Sequence, residues 1–312
     1  MNRAVSYQKI LPEEHGQRLD NYLIRVLKGV PKSHIYRIIR SGEVRINKKR
    51  AKPSDRLATG DDIRIPPIQT SEAKVVTVSQ KLEHHLNEQI LYEDDGFLVL
   101  NKPAGLAVHG GSGLSLGVIE ALRKMRPEGT YLELVHRLDK ETSGCLLIAK
   151  KRSVLRAIQA LLVARQVTKV YWALLEKTWE YRAYYPVDLP LQKNTLQSGE
   201  RVVCVHQEGK PAFTEFRLLE NFQGYCLVEA QPKTGRTHQI RVHAAAIEHP
   251  ILGDEKYNKM RDNSKVAQLP VRLYLHARAI RFTLNGVKHA FVAPLDQKFK
   301  QALTGSNHGE TL

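Results

Sequence analysis

The sequence predicts an α+β protein with two domains, a small basic domain at the N-terminus and a larger domain built on a mixed sheet. Three observations support this. The 312 residues are too many for one small domain. Positive charge is concentrated in the first part of the chain. Beyond about residue 90, segments of strand length outnumber helical segments and alternate with them irregularly, which favours a mixed sheet with flanking helices over a doubly wound parallel sheet.

The composition is that of an ordinary folded protein. Hydrophobic residues make up 42% of the chain and charged residues 26%, which argues against disorder. We find no apolar run of about 18 residues that would span a membrane and no apolar secretory signal at the N-terminus. We therefore expect a cytoplasmic protein without a membrane partner. The three cysteines, Cys145, Cys204 and Cys226, are too few and too scattered for a disulfide framework or a zinc site.

The distribution of charge predicts a nucleic-acid-binding module at the N-terminus. The formal net charge is +16 and the pI is near 9.7, which favours a polyanionic partner. Residues 1–70 contain 15 Lys and Arg against 7 Asp and Glu, so half of the net charge lies in less than a quarter of the chain. Because no basic amphipathic helix stands out, nucleic acid is favoured over a membrane surface.

Residues 1–67 are predicted to form this module. Apolar residues at helical spacing, followed by a proline and a glycine at helix boundaries, predict two helices. Alternating segments with turn residues between them predict two strands. The predicted elements are a helix over Arg18–Leu27, a helix opened by Pro31 and ended by Gly42, a strand over Val44–Asn47, a basic turn over Asn47–Arg50 and a strand over Ile63–Pro67.

A charge run is usually a solvated face, but here the charges accompany a helix, a turn and a strand in a recognisable order. That order, with Ser-Gly-Glu-Val-x-Ile-Asn and then Gly-Asp-Asp-Ile, resembles the S4 RNA-binding domain over about residues 16–66. The resemblance implies that the second helix and the turn after it grip structured RNA. The RNA-binding residues expected in this module are Lys32, Arg37, Arg40, Lys48, Lys49 and Arg50.

Residues 68–87 show no strong period and are predicted to be a linker, with a short strand over Val75–Val78. Residues 88–312 then form the larger domain, whose strands are predicted on short apolar segments bounded by turn residues. A helical stripe runs from Val154 to Leu162. The predicted strands are Ile90–Tyr92, Phe97–Lys102, Gly144–Lys150, Val170–Leu175 and a hairpin of Thr214–Leu219 with Tyr225–Ala230.

Three segments of the larger domain could carry chemistry. Val135–Gly144 places His, Arg, Asp, Thr and Ser in a loop after a strand, where sites are often built. Its Asp139 could act as a nucleophile or a base without a metal, although for an aspartate viewed in isolation a surface loop position or a helix cap is the better explanation. Lys233–His243 packs five basic side chains into eleven residues, either on one shared face or in a salt-bridged strand or helix start. Arg272–Ala277 alone indicates little beyond a half-buried strand.

Together these segments are far more specific. His-Arg-Leu-Asp-x-x-Thr-Ser-Gly, then Lys-Val-Tyr at 169–171, Gly-Arg-Thr-His-Gln-Ile-Arg-Val-His at 235–243, His-Pro-Ile-Leu-Gly-Asp at 249–254 and Leu-Tyr-Leu-His-Ala at 273–277 resemble the RluA-type pseudouridine synthases over about residues 90–295. The resemblance implies the pseudouridine synthase fold, with a mixed and largely antiparallel sheet, and isomerisation of uridine in RNA. Within the family, residues 101–111 and 191–209 look most like the branch that modifies large-subunit (23S) ribosomal RNA.

The resemblance also implies roles for individual residues. Asp139 is the expected catalytic carboxylate, Arg241 its partner, and Tyr171 the aromatic residue beside the uracil. Arg137 is expected to fill the space left by a flipped base, and Leu275 to lie under that base, although simple core packing explains Leu275 as well. Arg236 and His238 are expected to contact RNA. His136 is expected to shape the loop rather than transfer protons.

The reaction breaks one bond and forms another without gain or loss of atoms, so we expect no cofactor and no metal. The sequence agrees, because it contains no zinc spacing, phosphate loop or dinucleotide fingerprint. The expected partner is 23S ribosomal RNA, bound by a monomer. Two alternatives stay open: the same chemistry on transfer RNA, and a non-catalytic RNA-binding or ribosome-assembly protein.

Overall fold

The computed structural model describes residues 4–27, 29–68, 78–110, 116–127, 129–195, 201–258 and 269–304. The chain divides into two compact units, residues 1–77 and residues 78–312. Within the described part of the chain, no helix combines the length and the apolar character needed to cross a membrane.

The first unit is a small α+β domain. Its strands form an antiparallel sheet in the order β1-β4-β2-β3, and the apolar sides of both helices pack into one core with it. The two helices and the basic turn predicted for this module are confirmed; the turn uses left-handed backbone at Asn47 and Lys48. The elements are β1 Ser6–Lys9, a 3₁₀ turn Pro12–Glu14, α1 Leu19–Val26, α2 Lys32–Arg40, β2 Arg45–Ile46, β3 Lys49–Arg50 and β4 Asp62–Ile65.

The second unit is built on one large sheet with helices on its faces. The path of neighbouring strands is β10-β13-β14-β9-β15-β8-β6-β5, with β16 paired to β15 and β7 to β8. Its elements are α3 Gln80–Glu88, β5 Ile90–Glu93, β6 Phe97–Lys102, α4 Val118–Lys124, β7 Glu133–Leu134, β8 Ser143–Ala149, α5 Arg152–Val163, β9 Thr168–Glu176, β10 Tyr184–Asp188, β11 Leu191–Thr195, β12 Arg201–Val205, β13 Phe213–Phe222, β14 Tyr225–Pro232, α6 Gln239–Ala246, β15 Leu275–Leu284, β16 Val287–Val292 and α7 Gln297–Thr304.

The predicted fold class, α+β with a mixed and largely antiparallel sheet, is confirmed. The strand pairs of the large sheet are antiparallel, apart from β8 and β15, which run parallel. The predicted hairpin is present as β13 and β14. Strands β11 and β12 form a separate two-stranded hairpin, anchored by a small apolar cluster that includes Leu191, Val203 and Val242.

The segment predicted as a linker, residues 68–87, differs from the structure at both ends. Ile68 is buried in the core of the first unit. Residues 80–88 form α3, which begins at Ser79, whose side chain accepts a hydrogen bond from the amide of Leu82 at 3.3 Å. Leu86 is fully buried in the second unit. Most of this helix is polar, so its short apolar stripe produced no clear period. The strand predicted at Val75–Val78 falls largely outside the described residues.

A glycine allows the parallel pair at the centre of the sheet. Gly144 pairs with Ala277 and has a positive φ of 108°. A Cβ atom at this position would overlap the carbonyl oxygen of Ala277, so only glycine allows the two strands to approach. This contact brings the loop that ends in β8 beside the start of β15.

Candidate active site

One cavity of the second unit gathers the reactive segments that the sequence predicted. Its volume is about 840 Å³, within the range of ligand-binding pockets, roughly 300–1,000 Å³. The loop before β8, the start of β9 and the turn that leads into α6 meet there. The predicted site residues that line it are Arg137, Asp139, Tyr171, Arg236, His238, Arg241 and Leu275.

Asp139 lies in the loop between β7 and β8, and its side chain is 20% exposed. Its backbone carbonyl accepts a hydrogen bond from the amide of Thr142 at 3.2 Å. The next carbonyl, that of Lys140, accepts hydrogen bonds of 2.9 Å from the amide of Gly105 and from Nζ of Lys102. The backbone beside the aspartate is therefore held in place by the protein itself.

Lys102 is the anchor of this loop, and the sequence did not single it out. It is fully buried, and its Nζ donates to the carbonyl oxygens of Pro103, Leu106 and Lys140 at 2.7, 2.8 and 2.9 Å. Burial lowers the pKa of Lys102 to about 7, while nearby carboxylates oppose the shift. The three carbonyls match the three donors of an ammonium group, so Lys102 ties the end of β6 to the loop.

A buried network joins the start of β8 to β15. The hydroxyl of Ser143 accepts a hydrogen bond from Nη2 of Arg272 at 3.0 Å and lies 2.8 Å from Nδ1 of His276. Nε2 of His276 lies 3.2 Å from the carbonyl oxygen of Ala293. Because that nitrogen must donate to a carbonyl, Nδ1 accepts the serine proton. Burial lowers the pKa of His276 to about 4, so the ring is neutral near pH 7.

Arg241 approaches Asp139 but is bound more tightly elsewhere. Its Nη1 lies 3.5 Å from Oδ2 of Asp139, whereas its Nε and Nη2 donate to the two carboxylate oxygens of Asp254 at 2.7 Å each. Burial acts to lower the pKa of Arg241, but the hydrogen bonds and charge of Asp254 outweigh it and raise the pKa. The predicted neighbourhood of Asp139 and Arg241 is therefore present, with Asp254 as the residue that orients the guanidinium.

Asp254 is a second residue of the site that the sequence did not identify. Its carboxylate is buried and also accepts hydrogen bonds from the amides of Lys256 and Tyr257. The preceding Gly253 has a φ of 72°, and a Cβ atom there would overlap the carbonyl oxygen of Arg272. The sequence signal for this residue is the Gly-Asp pair at 253–254, within one of the segments that carry the family resemblance.

His238 faces Asp139 from the turn before α6. Its Nε2 lies 3.7 Å from Oδ2 of Asp139, and its Nδ1 lies 2.6 Å from the hydroxyl of Tyr257. Burial lowers the pKa of His238 although the charge of Asp139 opposes the shift. His238 also has a φ of 54°, a conformation uncommon for residues other than glycine. Contact with RNA was the prediction for this residue, and it stays a prediction.

Tyr171 and Leu275 form one apolar face of the cavity. The register pairs Leu275 with Ala173, and side chains two residues apart on a strand share a face. Tyr171, Ala173 and Leu275 therefore lie on the same side of the sheet. Burial strongly raises the pKa of Tyr171, and the charge of Asp139 raises it further, so the hydroxyl keeps its proton near pH 7.

His136 has the environment of a residue that shapes the loop. Its Nε2 accepts a hydrogen bond from the amide of Leu147 at 3.1 Å. Burial lowers the pKa of His136 to about 4, with a smaller effect of the charge of Lys169. A neutral ring bonded to the backbone of β8 fits a structural role better than proton transfer.

Positively charged side chains surround the mouth of the cavity. Arg137 is exposed, and the described residues offer its guanidinium no partner. Arg236 is also exposed and donates from Nε to the carbonyl oxygen of Pro211 at 3.0 Å. Lys169 lines the same cavity, and burial lowers its pKa. Such a rim suits a polyanionic ligand.

The first unit presents its predicted RNA-binding side chains to solvent on α2 and on the turn between β2 and β3. Ile35, Ile38 and Ile39 on the opposite side of α2 are buried, which separates an apolar face from a basic one. Within the basic face, Nη2 of Arg50 donates to the carbonyl oxygen of Arg40 at 2.6 Å. The exposed predicted residues are Lys32, Arg37, Arg40, Lys48, Lys49 and Arg50.

Two family models match this chain. The model described as RNA pseudouridylate synthase matches residues 96–246, and the S4 domain model matches residues 17–63. The first match contains Asp139, Tyr171 and Arg241, and the second contains α1, α2 and the basic turn.

Known proteins are similar to this chain over nearly its whole length. Ribosomal large subunit pseudouridine synthase C of Pasteurella multocida (strain Pm70) is 51% identical over 308 residues, covering 97% of this chain and 94% of that protein. The protein of the same name from Escherichia coli (strain K12) is 50% identical over 307 residues, with 96% of each covered. The solved structure of human RNA Pseudouridylate Synthase Domain Containing 4 superposes with a TM-score of 0.59 at 28% identity, covering 72% of this chain and 94% of that one.

Proposed function

Because this chain belongs to the RNA pseudouridylate synthase family, we propose that it isomerises specific uridines of 23S ribosomal RNA to pseudouridine, with Asp139 as the catalytic carboxylate. The observation that carries the proposal is the meeting of Asp139, Tyr171 and Arg241 in one cavity. Relatives about half identical along nearly the whole chain bear the name of a large-subunit ribosomal enzyme, which supports the choice of substrate.

The reaction breaks the N1–C1′ bond of a uridine, turns the uracil and joins it again through C5. Asp139 serves it in one of two ways. Its carboxylate attacks C1′ to form a covalent intermediate, or it takes a proton from C2′ to form a glycal. Either route needs a carboxylate that is charged and oriented, and Arg241 beside Oδ2 supplies a charge that stabilises it. Since no atoms enter or leave, we propose that the reaction needs no cofactor or metal.

Tyr171 and Leu275 are proposed to receive the uracil. An aromatic ring offers a stacking surface, and Leu275 on the same face offers an apolar floor. The raised pKa of Tyr171 means that its hydroxyl is a hydrogen-bond donor in the free enzyme. It can assist the late removal of the C5 proton only after a partner has taken its own proton.

The target base must leave its helix to reach Asp139, at a cost of a few kcal/mol (about 2–4) for unstacking and unpairing. Arg137 is exposed at the cavity mouth, and its planar guanidinium suits both stacking and phosphate contact. We therefore assign it the space that the base vacates. Arg236 at the same mouth is assigned to the RNA backbone. The exposed lysines and arginines of the S4 unit add RNA affinity that does not depend on sequence. We further propose that the protein acts as a monomer in the cytoplasm.

Release of tritium from 23S ribosomal RNA that contains 5-tritiated uridine tests the activity. The wild-type chain should release tritium, and Asp139→Asn should release none while binding the same RNA with an affinity within about threefold. Asp188→Asn, an exposed aspartate on β10, is the matched control and should keep full activity. Full activity of Asp139→Asn would overturn the assignment of the catalytic carboxylate.

Mapping of pseudouridines in cells with and without the gene tests the substrate. Loss of sites in 23S ribosomal RNA alone supports the proposal. Loss of sites in transfer RNA would instead support the same chemistry on that substrate. If no site is lost and Asp139→Asn complements every phenotype of the deletion, the chain acts as a non-catalytic RNA-binding or ribosome-assembly protein.

A further inference from the structure

Tyr257 lies on a turn that follows α6. It contacts two parts of the site that are far apart in the chain. The hydroxyl oxygen of Tyr257 accepts a hydrogen bond from the amide of Val203 at 3.0 Å and lies 2.6 Å from Nδ1 of His238. The guanidinium of Arg241 stacks over its ring, 5.0 Å from the centroid. The chemistry described above gives Tyr257 no role, although it touches both His238 and Arg241, the two basic neighbours of Asp139.

The tautomer of His238 depends on the direction of its hydrogen bond with Tyr257. The amide of Val203 already donates to the tyrosine oxygen, so the hydroxyl proton is available for Nδ1 of His238. Burial raises the pKa of Tyr257, and the hydroxyl therefore keeps that proton. A ring nitrogen that accepts a hydrogen bond carries no hydrogen, so a neutral His238 has its hydrogen on Nε2. Burial lowers the pKa of His238, which favours the neutral ring.

The Nε2 atom of His238 faces the carboxylate of Asp139. Nε2 of His238 lies 3.7 Å from Oδ2 of Asp139, and Nη1 of Arg241 lies 3.5 Å from the same oxygen. Both distances exceed those of ordinary hydrogen bonds, roughly 2.7–3.2 Å, but catalytic contacts often tighten only when substrate binds. Within the part of the chain that the structure describes, His238 and Arg241 are the basic side chains that form close pairs with this carboxylate. Two donors on Oδ2 leave Oδ1 for the substrate.

The backbone of His238 adds an independent observation. A left-handed conformation is uncommon in residues other than glycine, although turn residues of this chain such as Lys48 and Lys177 share it. Here it lets the chain enter α6 with the imidazole turned into the cavity rather than to solvent. The charged groups around the ring are Asp139 and Asp254 on the acidic side and Arg241 and Lys256 on the basic side.

We propose that Tyr257 and His238 are positioning residues: the hydroxyl of Tyr257 holds His238 in the tautomer whose Nε2–H turns toward Oδ2 of Asp139, so that Oδ1 faces the ribose. The proposal rests on the proposed function, since it matters only if Asp139 reacts with the sugar. It also links the backbone of β12 to the reactive carboxylate, because Val203 sets the orientation of the tyrosine hydroxyl.

The first test detects the tautomer without any RNA. Long-range ¹H–¹⁵N correlation spectra of the full-length protein with ¹⁵N-labelled histidine distinguish the Nε2–H, Nδ1–H and doubly protonated forms. The chain has 13 histidines, and the signals missing in His238→Gln identify His238. We expect the Nε2–H form in the wild type at neutral pH and a mixture of tautomers in Tyr257→Phe. An Nδ1–H or doubly protonated ring in the wild type, or an unchanged tautomer in Tyr257→Phe, would overturn the proposal.

The second test measures whether Tyr257 acts through His238. Tyr257→Phe keeps the ring that Arg241 stacks on and should lower kcat about tenfold, with KM changed less than about twofold. The side-chain amide of Gln can present a donor near the Nε2 position without a tautomer. In the His238→Gln background, Tyr257→Phe should therefore change kcat by less than about twofold. Equal losses of kcat in both backgrounds, or no loss in the wild-type background, would contradict the proposal that Tyr257 acts through His238.

Tyr225→Phe is the matched control, because the Tyr225 hydroxyl also donates a hydrogen bond, to the carbonyl oxygen of Ala302 at 2.7 Å, outside the cavity. It should leave kcat unchanged. The outcomes also separate this proposal from the proposed function. A wild-type chain that makes no pseudouridine would overturn the proposed function even if His238 has the expected tautomer. An active chain with a different tautomer would overturn only the positioning role of Tyr257 and His238.

Discussion

Arg241 is bound by two hydrogen bonds of 2.7 Å to Asp254. The same guanidinium approaches Asp139 only to 3.5 Å. A planar guanidinium that forms two hydrogen bonds to one carboxylate is fixed in its orientation. Asp254 therefore determines the direction of the remaining nitrogen, Nη1. Asp139 consequently has a positive neighbour that is held without it, and its carboxylate stays accessible from the cavity.

Loss of the Asp254 charge should damage both stability and activity. In Asp254→Asn the buried guanidinium loses its compensating charge, and removal of one partner of a buried pair typically costs roughly 3 kcal/mol or more. We expect a fall of that size in the free energy of unfolding, measured by urea denaturation, together with a lower kcat for tritium release. Asp139→Asn is the comparison: its looser contact should change the stability by less than about 1 kcal/mol. Equal stability of the two variants would show that Asp254 does not anchor Arg241.

Lys102→Met should loosen the loop of Asp139 while keeping a side chain of similar length. Three carbonyl oxygens lose their donor, and each unsatisfied group costs about 1–3 kcal/mol when buried. We expect the free energy of unfolding to fall by about 3 kcal/mol and kcat to fall with it, because the carbonyl of Lys140 adjoins Asp139. Lys177→Met removes a lysine whose side chain is 42% exposed and should stay within about 0.5 kcal/mol of the wild type. Wild-type stability of Lys102→Met would contradict the anchoring role.

The buried His276 should make the protein less stable in mild acid. Above pH 6.5 its ring is neutral in both the folded and the unfolded chain. As the pH falls below 6.5 the unfolded chain binds a proton, whereas burial holds the pKa in the folded chain at about 4. Stability is therefore lost between about pH 6.5 and pH 4, by on the order of 2 kcal/mol at pH 5 from this one group.

Urea denaturation at pH 7 and pH 5 measures that loss. His276→Gln should lose about 2 kcal/mol less than the wild type between these two values, even if its stability at pH 7 is lower. His84→Gln replaces a histidine whose side chain is 78% exposed and should follow the wild type. A pH dependence of His276→Gln identical to that of the wild type would exclude this linkage.

The basic turn of the S4 unit should contribute salt-dependent affinity. Each phosphate contact adds roughly 0.7–0.9 to the slope of log affinity against log salt concentration. Lys48→Gln with Lys49→Gln should therefore reduce the slope for ribosomal RNA by about 1–2. Arg281→Gln with Lys288→Gln removes the same charge from exposed positions on β15 and β16 and should reduce it less. Equal effects of the two pairs would mean that net charge, rather than the turn, binds the RNA.

The spacing of apolar residues was sufficient to predict an element wherever that element shows a clear helical or strand period of its own. The two helices of the first unit and the β13–β14 hairpin were predicted because apolar residues there recur at the period of a helix or a strand. Helix α3 was missed because Leu82 and Leu86 give it only one short apolar stripe in a polar segment. Its place in the second unit depends on burial against residues that are distant in the sequence.

The family, the two-domain organisation and the candidate site residues Asp139, Tyr171 and Arg241 could be predicted from the sequence, because they follow from residue types in a fixed order. The contacts that hold those residues in place became known only from the three-dimensional structure. Asp254 orients Arg241, Lys102 anchors the loop of Asp139, and Tyr257 reaches His238. Each of these contacts joins segments that are separated in the sequence and meet only through the close approach of strands and turns. Hydrogen bonds over 2.6–2.9 Å depend on that approach, and no spacing along the chain encodes it.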